Sequence, residues 1–151
     1  MKKDQVIIRP AKKTDSKRVW EIRNLPPVRI LSNNQNEIDF RDHNVWFLDK
    51  YFSQKNNFCL VAEINGLVAG YSRLDEVDLK DFLVSIAVDT VFHGQGIGSR
   101  LLDKVIEYCP SDCSLLAEIK KTNQISLSLF LKKKFIVIKS KEDNFLLKLK
   151  K

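Results

Sequence analysis

Three glycines at alternate positions mark the segment of this sequence best suited to chemistry. Gly94, Gly96 and Gly98 follow an apolar run, Phe82 to Val88, and precede a segment with helical spacing. Because no side chains stand in the way, the backbone N–H groups of such a turn can close on phosphate oxygens, and the helix N-terminus adds its positive dipole end. Arg100 would add charge just inside the helix. The segment predicts a phosphate-binding loop.

Two phosphate-binding motifs compete for this loop, besides a glycine turn that binds nothing. A dinucleotide-binding fingerprint needs G-x-G-x-x-G and an acidic residue about 20 residues later. Gly94, Gly96 and Ser99 nearly fit, with Glu118 at about that distance. However, the chain after Glu118 is too short to finish a doubly wound sheet. The absence of Gly-Lys-Ser/Thr excludes a Walker A loop.

The elements that must position the loop alternate between strand and helix patterns. Asn65-Gly66 between two apolar runs is a strong hairpin signal. We predict strands at 5–9, 58–64, 67–74, 82–88, 114–119, 135–138 and 145–149, and helices at 14–24, 38–52 and from 97 onward. Residues 123–131 alternate apolar and polar side chains, which favours a strand, although i, i+4 pairs keep a helix open. The order predicts a mixed α/β sheet with helices.

Composition limits the class of protein. The 151 residues, 44% of them hydrophobic, predict a single domain spanning 1–151. No apolar run approaches the roughly 18 residues of a membrane span, so we expect a cytoplasmic protein without a membrane partner. The chain has three cysteines, Cys59, Cys109 and Cys113, an odd number that argues against a disulfide framework. Their spacing does not match that of zinc ligands, so we expect no metal. The net charge of +7 favours acidic partners. Nucleic acid is not expected among them, because the sequence lacks a basic patch with interleaved aromatic residues.

The residues around the glycine loop resemble a known family. Gln95-Gly96-Ile97-Gly98, preceded by Ile86-Ala87-Val88 and followed by Leu101-Leu102, is similar to the acetyl-CoA signature of the GNAT acetyltransferase superfamily. Asn123-Gln124-Ile125-Ser126, Leu129-Phe130, Lys132 and Phe135 resemble its second motif. The resemblance covers about Gln5 to Leu149. It implies the α/β GNAT fold, with a mixed, mostly antiparallel sheet flanked by helices, and it makes residues 123–131 a helix.

The resemblance also implies acetyl-CoA as the cofactor. In the family, the loop and the following helix N-terminus hold the CoA pyrophosphate, and the pantetheine arm pairs with the preceding strand. The N–H of Val88 would stabilise the oxyanion of the reaction. The residues implied to bind the cofactor are Ile86, Ala87, Val88, His93, Gly94, Gln95, Gly96, Ile97, Gly98, Ser99, Arg100, Asn123 and Phe130.

Several positions depart from the family pattern. His93 stands where Gln or Arg is common, Lys134 stands where glycine is usual, and Phe130 replaces a tyrosine that often protonates the leaving CoA thiolate. A thiol pKa near 8.5 makes that loss worth only ~2 kcal/mol at neutral pH, so it should slow the enzyme rather than abolish its activity. Leu83 occupies the position where the family often has a carboxylate. We therefore consider Asp81 and His43, together with Val88, as the catalytic residues.

Motifs in the N-terminal half resemble a narrower branch, which acetylates the 4-amino group of nucleotide-linked sugars in pseudaminic-acid biosynthesis. They are Glu21-Ile22-Arg23-Asn24, Pro27-x-Arg29, Ser32, Ile38, His43-x-x-Trp46-Phe47 and Gly70-x-x-Arg73-Leu74-Asp75. The implied partner is a small amine, a UDP-linked amino sugar, whose phosphates arginines would contact. The implied acceptor-binding residues are Arg23, Asn24, Arg29, His43, Trp46 and Arg73. A plainer interpretation puts His43 and Trp46 in the core and the arginines Arg23 and Arg29 on the surface.

Other functions stay open at this point. A GNAT enzyme acting on a protein N-terminus, a lysine or a polyamine would need an acidic cleft, which the basic charge disfavours. A catalytically weak acetyl-CoA-binding module is compatible with Phe130 and Leu83. A homodimer through the C-terminal strands is a further option, since such dimers are common in the family.

Overall fold

The structure, a computed structural model, describes residues 5–151, which form one seven-stranded sheet and five α-helices. The order of strands across the sheet is β1-β2-β3-β4-β5-β7-β6. The strands are β1 (Val6–Pro10), β2 (Phe58–Ile64), β3 (Leu67–Asp78), β4 (Asp81–Val88), β5 (Ser114–Lys120), β6 (Ile136–Ser140) and β7 (Asn144–Lys150). The helices are α1 (Ser16–Arg23), α2 (Pro26–Ile30), α3 (Phe40–Phe52), α4 (Ile97–Tyr108) and α5 (Gln124–Lys132).

One parallel pair interrupts an otherwise antiparallel sheet. β4 and β5 run parallel and pair only where Asp81–Leu83 lie beside Ser114–Leu116. Beyond that short ladder, β5 continues to pair with β7 along its whole length, whereas β4 continues to pair with β3. The two central strands therefore diverge, and a gap opens between their C-terminal halves. The mixed, mostly antiparallel sheet predicted from the sequence is confirmed.

Helices cover the two faces of the sheet, and each face has its own core. Residues directly opposite each other on neighbouring strands point to the same face, so Arg73 and Ser85 share one face while Leu74 and Val84 share the other. The first face packs against α1 and α3 through Val19, Ile22, Phe47, Cys59, Val61 and Tyr71. The second packs against α4 and α5 through Leu74, Val84, Leu102, Val105, Leu115 and Phe130.

Local chemistry explains where the elements begin and turn. The carboxylate of Asp39 accepts hydrogen bonds from the N–H groups of Arg41 and Asp42, so α3 begins at Phe40. The predicted hairpin at Asn65-Gly66 is confirmed, with φ values of 50° and 81° that suit the left-handed turn. Asp15 directly precedes α1, but its carboxylate does not cap the helix and instead accepts Arg9 Nη1 at 2.7 Å and the Lys12 N–H at 2.7 Å.

Two segments differ from the expectations based on pattern alone. Residues 123–131 form α5 rather than a strand, as the family resemblance implied. The side chain of Asn123 accepts the Ser126 N–H at 3.2 Å, and Leu127 and Leu129 pack on the core while Ile125 is 81% exposed. Between the predicted helices at 14–24 and 38–52, residues Pro26–Ile30 form the short helix α2, which the sequence pattern did not predict; proline is tolerated in a first helical turn.

Lys134 adopts a conformation that favours glycine. Its φ of 78° lies in the left-handed region, directly after α5, where the N–H of Lys134 donates to Leu131 O at 3.0 Å. A non-glycine residue there costs roughly 1 kcal/mol. This geometry is the physical reason why a glycine would suit the position.

Every helix within residues 5–151 is too short or too polar to cross a bilayer.

Candidate active site

A cavity of about 750 Å³ lies at the gap between β4 and β5. One wall is β4 from Leu83 to Val88, and the glycine loop closes one end. On the α1–α3 side the cavity is lined by Arg23, Tyr71 and Arg73, and on the α4–α5 side by residues such as Leu129 and Phe130. Because its lining comes from both faces, the cavity passes through the sheet. Two molecules that enter from opposite faces can therefore meet beside β4.

The edge of β4 turns backbone N–H and C=O groups toward this cavity, and Val88 O among them accepts a hydrogen bond from His93 Nε2 at 3.1 Å. The N–H of Asp89 donates to Ala69 O at 2.8 Å. Bonded and non-bonded pairs alternate along an antiparallel ladder, so the N–H and C=O groups of Ile86 and Val88 point away from β3 and into the gap. Across the ladder, a Cβ on Gly70 would lie 2.9 Å from Ala87 O, so the close approach of β3 here requires glycine. The edge is suited to an extended ligand that adds itself like a strand.

The glycine loop is shaped for an anion. Gly94 and Gly96 have φ values of 80° and 76°, which only glycine adopts without strain, and Gly96 is the N-cap of α4. The first N–H groups of α4 have no partner within the helix. Upstream, Arg18 donates to Asp89 at 2.6 Å, and Asp89 accepts the Val91 N–H at 3.1 Å, which anchors the turn before the loop. These residues fit a diphosphate at the helix N-terminus.

Most predicted cofactor residues lie together in this cavity. Gln95 and Arg100 are the exceptions. Gln95 is exposed outside the lining, and Arg100 donates to Val6 O at 3.0 Å, which ties α4 to β1. His93 donates from Nε2 to Val88 O at 3.1 Å, so it also holds the end of β4. The residues that do line the cavity are Ile86, Ala87, Val88, His93, Gly94, Gly96, Ile97, Gly98, Ser99, Asn123 and Phe130.

The predicted acceptor residues separate into two groups. Arg23 and Arg73 line the cavity, whereas Asn24, Arg29, His43 and Trp46 do not. Asn24 accepts the Ile38 N–H at 2.9 Å and donates to Ile38 O at 2.8 Å. Arg29 in turn donates to Asn24 O at 3.0 Å. These two side chains hold the loop between α2 and α3 against α1, and part of that loop forms the cavity wall.

The two predicted proton acceptors do not reach the cavity. Asp81 stands at the start of β4, in the section still paired with β5, while the cavity begins at Leu83. His43 is 1% exposed on α3, behind the wall. Its Nε2 donates to Ser16 O at 3.0 Å, and its Nδ1 accepts from Arg23 Nη1 at 3.3 Å. The positions of Asp81 and His43 give no support to a direct role on the amine.

Sequence reasoning missed several polar residues of the cavity. Glu118 on β5 lines it, and among the residues that the structure describes it is the only carboxylate to do so. It accepts Lys141 Nζ at 2.6 Å and lies 3.5 Å from Asn33 Nδ2. Tyr71 and Ser85 also line the cavity. The sequence considered Glu118 only for a dinucleotide fold, although its place on the strand after the glycine helix was a usable signal.

The buried state of His43 has a consequence for stability against acid. Burial, together with the charge of Arg23, lowers the pKa of His43 from 6.5 to about 4. Between these values the unfolded chain takes up a proton that the folded chain excludes, so the free energy of unfolding should fall as the pH drops from about 6.5 to about 4. Urea unfolding across this range should show a shallower pH slope for His43→Gln than for wild type. His93→Gln, at the exposed histidine, is the matched control; an identical slope in all three proteins would contradict the prediction.

Comparisons with known proteins agree with this architecture. The profile of the Acetyltransferase (GNAT) family matches residues 19–135. Among solved structures, the N-acetyltransferase of Staphylococcus aureus Mu50 is 24% identical, with 97% of this chain and 98% of that one covered and a TM-score of 0.82. The ribosomal-protein-alanine N-acetyltransferase of Brucella melitensis is 23% identical, with 94% and 96% covered and a TM-score of 0.79.

A third similar structure was solved with the acetyl donor bound. The phosphinothricin acetyltransferase of Sinorhizobium meliloti, in complex with acetyl-CoA, is 17% identical, with 95% of this chain and 87% of that one covered and a TM-score of 0.81. A search of curated proteins found no significant match. Within residues 5–151, no group of three or more His, Cys, Asp or Glu side chains could hold a metal. The family profile spans most of the chain, and the chain belongs to the GNAT family of acetyltransferases, which use acetyl-CoA as the acetyl donor.

Proposed function

We propose that this acetyltransferase transfers the acetyl group of acetyl-CoA to the primary amine of a small, phosphate-bearing acceptor, the 4-amino group of a nucleotide-linked sugar. One observation carries the proposal: the cavity crosses the sheet, with an anion loop at one end and Arg23, Arg73 and Glu118 in its lining. Donor and acceptor would enter from opposite faces and meet at β4. The acceptor assignment extends the resemblance of the N-terminal motifs to the amino-sugar branch.

The donor half is assigned to the glycine loop and β4. Acetyl-CoA, when bound, supplies an activated acetyl thioester. The loop from His93 to Gly98 and the first turn of α4 would hold its diphosphate. The free edge of β4 at Ile86 would pair with its extended arm, and the N–H of Val88 would donate to the oxygen that gains negative charge. Phe130 has no proton to give, so the thiolate would leave without an acid from this position.

The acceptor amine must lose a proton before it can attack, and we assign that proton to Glu118. A carboxylate that lines the cavity on β5 can accept the proton directly or through one water. Lys141 Nζ, 2.6 Å from Oε1, helps to orient the carboxylate. Glu118 replaces Asp81 and His43 as our candidate, since neither of those lines the cavity.

The charges of the cavity select the acceptor. Among residues 5–151, two guanidinium groups and one carboxylate line it, which disfavours a polyamine and favours an acceptor with negative groups beside its amine. The phosphates of a nucleotide-linked sugar meet this requirement. A protein N-terminus stays the main alternative, because a ribosomal-protein-alanine N-acetyltransferase is among the similar structures.

A panel of amines separates these possibilities. Thiol release from acetyl-CoA should be measured with a UDP-4-amino-4,6-dideoxy sugar, a peptide with a free N-terminus and spermidine. We expect turnover with the nucleotide sugar and little with the other two. Turnover confined to peptide or spermidine would overturn the acceptor assignment. Tight acetyl-CoA binding without thiol release for any amine would favour a binding module.

A further inference from the structure

Two guanidinium groups of the cavity wall share one aromatic ring. The Cζ atom of Arg23 lies 4.5 Å from the ring centroid of Trp46, and that of Arg73 lies 5.2 Å from it. Trp46 itself is braced by Tyr51, edge-on at 5.6 Å, and by the ring of His43 at 5.6 Å. Both guanidinium groups line the cavity although Trp46 does not. The ring acts as a platform that holds two cations next to the ligand space.

The charges around this platform do not balance. Arg73 Nη1 lies 3.3 Å from the carboxylate of Asp75, which also lies 3.6 Å from Lys50 Nζ. Arg23 has no carboxylate partner within residues 5–151, and its polar contact is the uncharged Nδ1 of His43. Burial lowers the pKa of Arg23. Three cations therefore face one carboxylate, and an anion in the cavity would offset the cost of this arrangement.

Neighbouring side chains orient each guanidinium. The Nε2–H of His43 is held by Ser16 O, which leaves its Nδ1 unprotonated and able to accept from Arg23. Tyr51 donates to Asp75 at 2.6 Å. Asp75 and Tyr51 together hold Nη1 of Arg73, while its Nη2 donates to Ser85 Oγ at 3.2 Å. The pair is thus ordered without a ligand, which reduces the entropic cost of binding one.

We infer that Arg23 and Arg73 form one preorganised phosphate site for the acceptor, with His43, Tyr51 and Asp75 as its positioning residues. The inference rests on the proposed function, which it deepens by naming the group that the site grips. Two fixed guanidinium groups match a diphosphate better than a single carboxylate, because each can donate two hydrogen bonds to phosphate oxygens. His43 then acts through Arg23 and not on the amine.

UDP binding tests the site without any turnover. UDP is titrated calorimetrically into protein saturated with acetyl-CoA, so that the glycine loop is already filled. We expect Arg23→Met to weaken UDP binding at least 10-fold and to leave the Kd of acetyl-CoA unchanged. Arg41→Met, on an exposed position of α3, makes the same charge change and should leave UDP binding unaltered. Equal UDP binding by wild type and Arg23→Met would overturn the site while the acetyl-transfer proposal stands.

Substitutions of His43 distinguish positioning from proton transfer. Glutamine can donate to Ser16 O and accept from Arg23, whereas leucine can do neither. We expect His43→Leu to raise the acceptor KM about 10-fold with little change in kcat, and His43→Gln to restore most of the loss. A fall in kcat with loss of the acidic limb of the pH profile in both variants would overturn the positioning role. If the wild-type protein bound no UDP and turned over an amine that carries no phosphate, the proposed acceptor would be overturned.

Discussion

Glu118→Gln should lower kcat about 100-fold or more, with a much smaller effect on the KM of acetyl-CoA. A general base contributes roughly 10²–10⁴-fold to a rate, and glutamine has nearly the same shape but cannot take a proton. Because a neutral amine becomes more abundant at high pH, the loss should shrink as the pH rises. Thiol release measured with the nucleotide sugar between about pH 6 and 9.5 gives both the rate and its profile.

The ion pair of Glu118 supplies the control for this experiment. Lys141→Met removes the partner at 2.6 Å but keeps the carboxylate, so kcat should change only a few-fold. Asp81→Asn should likewise leave kcat nearly intact, because Asp81 does not line the cavity. A wild-type kcat in Glu118→Gln would exclude Glu118 as the proton acceptor, and a larger loss in Asp81→Asn would return that role to Asp81.

Arg23→Met should reduce kcat/KM for the nucleotide sugar about 100-fold, mainly through KM. Losing one charge-assisted contact to a partly buried phosphate typically costs about 2–5 kcal/mol, since the remaining anion is left without its partner. Methionine keeps much of the apolar contact with Trp46 and removes the charge. Initial rates against acceptor concentration, at saturating acetyl-CoA, measure the effect.

Arg41→Met is the matched control, because Arg41 is exposed on α3 and outside the cavity. It changes the net charge by the same amount and should leave the acceptor KM nearly unchanged. If both variants raised KM equally, a general attraction between a basic protein and a phosphate would explain the data. A rise in the KM of acetyl-CoA instead would move Arg23 to the donor half.

Local sequence patterns predicted the strand, the glycine loop and the helix of the proposed donor half well. These three segments are the run from Phe82 to Val88, the alternating glycines and the amphipathic helix after them. They follow one another directly in the sequence, so they are also neighbours in the structure. Asn65-Gly66 likewise sets a hairpin through its own backbone conformation. The glycine loop and the hairpin turn both depend on interactions between residues that are close in the sequence, so the sequence alone predicts them.

Residues 123–131 show where local pattern fails. Their alternation favours a strand, yet they form a helix, because the Asn123 cap and the packing of Leu127 and Leu129 on the core outweigh the weak local preference. The family resemblance predicted this helix correctly, since it carries information about the tertiary fold that the alternation lacks.

The arrangement of ionisable groups around the cavity depended on tertiary structure. His43 and Glu118 are both ionisable residues on regular elements, and the sequence does not show which of them faces the cavity. The answer depends on the divergence of β4 and β5, which places Glu118 in the wall, and on the packing of α3 against α1, which buries His43.

The sequence by itself thus determined the family, the order of most elements and the position of the glycine loop, because each of these depends on contiguous residues. The tertiary structure decided which charges meet. Arg23, Trp46 and Arg73 come from two helices and a strand, and only the packing of α1 and α3 on β3 brings their side chains to one place.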